Sequence, residues 1–150
     1  MAHTNHKIVL RGSSHGYEER LASAALSPGN LLKVDSANKV LKHATEGAAS
    51  AIIVAQENAL YGKVSTDAYA NGDLVPTFQP EPCNVIQVLA KPGVAYAVGD
   101  ELIHDGAGQV KKASAVSSGV TAHRVVGFVY EAKDLSASGA VAALMKVQIA

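Results

Sequence analysis

Two stretches of this chain carry the same landmarks in the same order. Residues 29–43 read GNLLKVDSANKVLKH and residues 99–113 read GDELIHDGAGQVKKA, with six of fifteen positions identical: Gly29/Gly99, Leu32/Leu102, Asp35/Asp105, Ala37/Ala107, Val40/Val110 and Lys42/Lys112. Each stretch reads as a β-hairpin whose loop is set by Asp35 and Asn38 in the first copy and by Asp105 and Gly108 in the second. Asn and Gly tolerate positive φ, which a loop of this length needs just before the returning strand. The two carboxylates are suited to bonding the backbone of their own loops. Downstream, AIIVAQE (51–57) lies opposite RVVGFVYE (124–131), and NVIQVLA (84–90) opposite part of AALMKVQIA (142–150). Duplication and independent similarity both fit this pattern. Under either, the chain holds two β modules of one kind.

Around these stretches run short β-type segments separated by Gly, Asn, Asp and Ser, the signature of an all-β barrel or sandwich. Hydrophobic residues make up 48% of the chain but aromatic ones only 5%, with no Trp. The core must therefore be built from Val, Ala, Leu and Ile, which favour strands. The expected organisation is an N-terminal arm over 1–27 and a β domain over 28–150, whose halves, 28–90 and 91–150, share one core because neither alone covers both faces of its sheet. Within the arm, YEERLASAAL (17–26) has helical apolar spacing and two glutamates in its first turn. A short helix and an extended arm both fit it.

Composition excludes several function classes. Thirteen basic residues balance thirteen acidic ones, so the basic footprint of a nucleic-acid binder is missing and self-association is not opposed by net charge. The single cysteine, Cys83, allows neither an internal disulfide nor a Cys-rich zinc site. No apolar run approaches the length of a membrane helix or a signal peptide, so a soluble protein without a membrane partner is expected.

Candidate chemistry is sparse. Gly12-Ser13-Ser14-His15-Gly16 matches the G-x-S-x-G nucleophile elbow, but too little chain precedes Ser14 to supply the surrounding strands and an oxyanion donor. His3 and His6 lack acidic or Cys companions for a metal. His104, in the place of Val34, reads as a strand residue with a satisfied ring. The Asp35 and Asp105 loops miss the spacing of a calcium loop, and Gly106-Ala107-Gly108 precedes no helix that could cradle a phosphate. The expectation is a non-enzymatic protein without cofactor or metal.

Several pieces together resemble the head decoration, or capsid cement, proteins of tailed bacteriophages: GYEERLASAALSPGNLLKVDSANKVLKHATEG, AQEN, YGKVSTDAYANGDLV, VGDELIHDGAGQVKKA and VVGFVYEAKDLSASGAVAALMKVQIA. The resemblance covers roughly residues 8–150 as an ordered series of Gly-Asp turns, clearest at Gly72-Asp73 and Gly99-Asp100. It implies a β-tulip or β-barrel body, a small homo-oligomer (a trimer before a dimer), and the major capsid protein as partner. It also implies a virion protein on the capsid exterior, made in the host bacterial cytoplasm, with no catalytic residues to carry over. The leader segment Lys7, Ile8, Val9, Leu10 and Arg11 is the candidate capsid-contact arm, able to add a strand to a neighbouring sheet edge. On this reading the protein stabilises the shell by bridging capsid subunits. The alternative is a surface β-domain that recognises a glycan or protein through loops such as 104–109.

Overall fold

The computed structural model describes residues 7–11, 17–47, 50–115 and 123–150. Both repeated stretches form hairpins in the same register. In the first, β3 (Leu31–Val34) pairs with β4 (Val40–Lys42) through Leu32↔Lys42 and Val34↔Val40. In the second, β9 (Glu101–His104) pairs with β10 (Val110–Lys112) through Leu102↔Lys112 and His104↔Val110. The Asp35 carboxylate accepts from the backbone N–H of Ala37 and Lys39, each at 2.9 Å. Asp105 repeats this with Ala107 at 2.7 Å and Gln109 at 3.0 Å. Asn38 and Gly108 both take positive φ, 61° and 74°.

The remaining strands complete two rings of five. The first module uses β2 (Glu18–Leu21), β5 (Ile53–Ala55) and β6 (Leu74–Phe78) in the order β2-β6-β5-β3-β4, and a single parallel bridge, Ala22↔Val40, joins its ends. The second uses β7 (Val85–Ala90), β11 (Val125–Val129) and β13 (Ala143–Ile149) in the order β7-β10-β9-β11-β13. There β13 returns to β7, and Val110↔Ala90 is the parallel closing bridge. The correspondence extends to single hydrogen bonds. Gly29 N–H donates to Ala55 O as Gly99 N–H does to Val129 O, and Gln56 N–H to Pro76 O as Tyr130 N–H does to Lys146 O. Outside the rings, β1 (Val9–Arg11) lies antiparallel to β7, and β8 (Ala95–Tyr96) pairs with β12 (Lys133–Asp134). The helical content of the described residues is two 3-10 turns, Ala59–Tyr61 and Ala113–Ala115. The architecture is all-β and barrel-based.

Two sequence expectations change here. The 17–26 segment contains neither helix nor free arm: Glu18–Leu21 is a strand on β6, and Ala22 and Leu26 are buried in the first module's core. A ten-residue helix is marginal alone, whereas a ladder to β6 lets the first ring close. The boundary between halves also moves. Pairing makes β7 the counterpart of β2 and β13 the counterpart of β6, so strand 85–90 belongs with the second module rather than ending the first.

Four strands are launched by one kind of turn: Ser27-Pro28-Gly29-Asn30, Ala70-Asn71-Gly72-Asp73, Glu81-Pro82-Cys83-Asn84 and Ala97-Val98-Gly99-Asp100. In each, the fourth residue's N–H donates to the first residue's carbonyl, at 3.1–3.2 Å. The fourth residue's side-chain oxygen in turn accepts the first residue's N–H, at 2.7–3.2 Å. The third residue has positive φ, as a type II turn requires. Two of them are the Gly-Asp turns of the sequence, the other two end in Asn30 and Asn84, and Cys83 fills a position that is glycine in the other three.

The interior is double rather than single. Ala22, Leu26, Leu32, Val40, Ala55, Tyr69 and Val75 fill the first ring. The larger cluster fills the second ring with residues such as Val88, Leu102, Val110, Met145 and Val147, and it also takes in Ile8, Leu31, Val54 and Phe78. Leu31, Val54 and Phe78 form one cross-strand row, opposite in the strands to the ring-filling Leu32 and Ala55. They are the first module's outer surface, buried beneath the second.

Gly29 sits at that contact with φ 84°, and a Cβ there would lie 2.4 Å from Leu144 Cδ2 and 3.3 Å from the Leu89 nitrogen. Its counterpart Gly99 has φ 86° and open space. Gly99→Ala therefore carries only the left-handed backbone cost of about 1 kcal/mol, and Gly29→Ala adds overpacking for a total of about 3 kcal/mol. Equilibrium denaturation of the two variants measures the difference.

Candidate functional site

The segment read as a free arm is folded onto its own chain over the described residues. Ile8 is fully buried, its N–H donates to Glu57 Oε2 at 3.0 Å, and its carbonyl accepts from Gln87 N–H at 2.7 Å. The Lys7 carbonyl accepts from Gln87 Nε2 at 2.6 Å. Val9 and Arg11 pair with Ile86 and Val85, and Leu10 and Arg11 border a small cleft with Tyr130 and Lys146. The reason is the edge of β7: the closing bridge to β10 covers only its end, and β1 and Gly29 pair with more of it while Ile8 fills the core.

The loop 104–109, a candidate for recognising outside ligands, is likewise turned inward. Gly108 N–H donates to His43 O at 2.9 Å, and Gly108 O accepts from Leu31 N–H at 2.8 Å and Asn30 Nδ2 at 3.0 Å. Gly47 N–H donates to His104 O at 3.0 Å, and Glu46 bridges to Asp105. A side chain at Gly108 would meet Lys42 Cβ at 2.9 Å. The second hairpin is thus plugged into the first module, while the first hairpin's Ser36, Ala37 and Asn38 stand exposed.

At this junction lies a pair that the sequence reading missed. His43 and His104 are both buried, with ring centroids 4.4 Å apart and planes tilted by 35°. His43 is held on both nitrogens: Nδ1 accepts from Thr45 N–H at 3.3 Å, and Nε2 lies 2.7 Å from Ser50 Oγ. Among the described residues neither ring nitrogen of His104 has a hydrogen-bond partner, so the satisfied ring expected there is not found. Burial, helped by His43 and Arg124 and opposed by Asp105, pushes the His104 pKa down to about 4. Burial and then Lys33 push His43 down as well. Nearby, the buried Lys111 ammonium is paired with Glu46 at 2.6 Å and donates to Ala115 O at 2.7 Å.

Between the modules an open groove of about 660 Å³ is lined by residues from both, including Asn30, Lys42, Ser65, Gln87, Lys133 and Leu144. Lysines, hydroxyls and amides face it without a lining carboxylate, an arrangement able to hold a polar segment. Among the described residues no three His, Cys, Asp or Glu side chains gather as a metal cluster. The Gly12–Gly16 elbow, His3 and His6 lie outside the described residues.

Against known proteins, no family model matches the chain, and no curated protein does. Among solved structures it is similar to the head fiber gp8.5 N base of bacteriophage phi29, with a TM-score of 0.54 and 18% identity over 89% of this chain and 92% of that one. At that identity the likeness is one of fold, extending over nearly the full length of both chains.

The histidine pair gives the junction a pH dependence of known sign. Both rings bind protons more weakly folded than unfolded, so their share of stability is intact above about pH 6.5 and is lost as pH falls from there to about 4. For His104 the loss amounts to about 3 kcal/mol. Asp35, Asp100 and Asp134, whose pKa values are lowered from 3.8, act below that window. Denaturant melts between pH 7 and 4 should show the decline in the parent chain and leave only the His43 share of it in His104→Val, the residue type used at the equivalent position 34.

Proposed function

We propose that the protein is a structural component of a tailed-phage head, bound to the outer surface of the capsid and stabilising it by bridging major capsid protein subunits, without enzymatic activity. The observation that carries this reading is the fold shared end to end with the base of a phage head fiber. The ordered turn series of the sequence supports it independently. The second reading, recognition through loop 104–109, loses its support because that loop is spent on the module junction.

Attachment by donation of residues 7–11 would require β1 to leave β7 and Ile8 to leave the core. The capsid contact is therefore assigned to a surface that needs no unfolding. The 3-10 turn between β5 and β6 presents Leu60 and Tyr61, 85% and 73% exposed, side by side on a short bend closed by Gly62. Adjacent apolar side chains this exposed are what an interface anchor looks like before its partner arrives. Many copies on one shell would add avidity to a modest single contact.

Co-sedimentation with empty capsid shells tests the reading, with the full chain expected to pellet with the shells. Leu60→Asp/Tyr61→Ser should lower shell affinity at least tenfold, a loss of ~1.4 kcal/mol, while leaving the circular dichroism spectrum unchanged. A chain beginning at Lys7 keeps Ile8 and the core, so it separates any contribution of residues 1–6 from plain destabilisation. Absence of shell binding by the folded full-length protein would overturn the capsid role.

A further inference from the structure

The contact between the modules is head to tail. The first module's face sets Gly29 against Leu89 and Leu144 and His43 against His104 on the receiving face of the second, and its Leu31, Val54 and Phe78 join the second ring's apolar cluster. Because the modules repeat, each face has a counterpart that the single chain leaves unused. Strand register makes Leu21, Val34 and Leu74 of the first module the counterparts of Leu89, His104 and Leu144. It makes Val98, Glu101, Phe128 and Gln148 of the second the counterparts of Pro28, Leu31, Val54 and Phe78.

These unused faces hold much of the apolar surface left open. Leu21, Val34 and Leu74 are 44%, 37% and 37% exposed, and Val98 and Phe128 are 67% and 41% exposed. Their counterparts Val54 and His104 are 0% and 1% exposed and Leu89 and Leu144 are half-buried, so the junction covers two of these positions fully and two in part. The backbone takes part as well: Leu89 N–H donates to Gly29 O at 2.9 Å across the junction. The Gly99 carbonyl stands where the Gly29 carbonyl does.

We infer that a second copy of this chain docks head to tail, its second module's Val98–Phe128 face against the first module's Leu21–Val34–Leu74 face, repeating between chains the junction that exists within one. The contact is heterologous, so it builds a ring if the rotation closes and a filament if it does not. It is looser than the internal junction, because Asn38 stands at the position of Gly108, where a Cβ would meet Lys42 Cβ at 2.9 Å in the internal junction. Association is accordingly concentration-dependent. This inference does not rest on the capsid reading.

Sedimentation of the full chain over a concentration series tests it. Mass should rise with concentration, and Leu74→Lys and Phe128→Lys should each abolish the rise. Mixed together, these two variants should form 1:1 dimers and nothing larger, because one intact Leu74 face meets one intact Phe128 face. A wild-type monomer at millimolar concentration would overturn the proposal and leave the faces to a different protein. Variants that associate like wild type, or a mixture that stays monomeric, would also overturn it.

A cross-link covers the case of a variant that misfolds. On a Cys83→Ser background, Val34→Cys in one chain and Ala113→Cys in another occupy the places of His104 and His43. Oxidation should yield the 34–113 dimer in preference to 34–34 or 113–113 dimers. Formation of the symmetric dimers alone would exclude a head-to-tail contact.

Discussion

Burial of the Leu31–Val54–Phe78 row under the second module is the contact on which the rest of this structure depends. A ring of about sixty residues buries too little surface to be secure alone, and among the described residues the first ring's core holds seven buried side chains, two of them alanine. Laying its outer row against the second ring gives one wall two jobs. Everything specific to the junction follows from bringing the backbones that close. Gly29 and Gly108 are needed where a Cβ would collide, Asn30 and Asp105 tie the turns in place, and His104 stacks on His43 between modules with neither ring nitrogen hydrogen-bonded among the described residues.

The hairpins were legible in the sequence because their determinants are local. Asp35 and Asp105 bond backbone groups two and four residues on, and Asn38 and Gly108 supply the left-handed residue. The all-β class was legible for the same reason, since each Gly-Asx turn carries its own signal. What could not be read was long-range pairing. YEERL satisfies helical spacing, and only β6, more than fifty residues away, makes it a strand. KIVL alternates equally well as a free arm or as a cover for β7. The choice is made by Ile8 finding the core.

The histidine pair was hidden by the repeat itself. Aligned on the first hairpin, His104 falls on Val34 and His43 on Ala113, so neither has a histidine opposite it. They meet because the modules dock out of step, the loop of one against the strand end of the other. The same offset separates the two hairpin loops in character: one carries glycines and is enclosed, the other carries Ser36 and Asn38 and faces solvent. Likeness in sequence thus marks what the modules share in folding, and departures from it mark what each contacts.

Each ring is fastened by one parallel bridge, and the two fastenings are not equally guarded. Beside Ala90–Val110, β7 is also gripped by β1 and by Gly29. Beside Ala22–Val40 the described backbone adds the bond from Ser23 to Val40 O and a side-chain link from Arg20 to Asn38. Opening the first ring at Ala22–Val40 therefore costs the native state fewer contacts than opening the second at Ala90–Val110, where β1 and Gly29 must also let go.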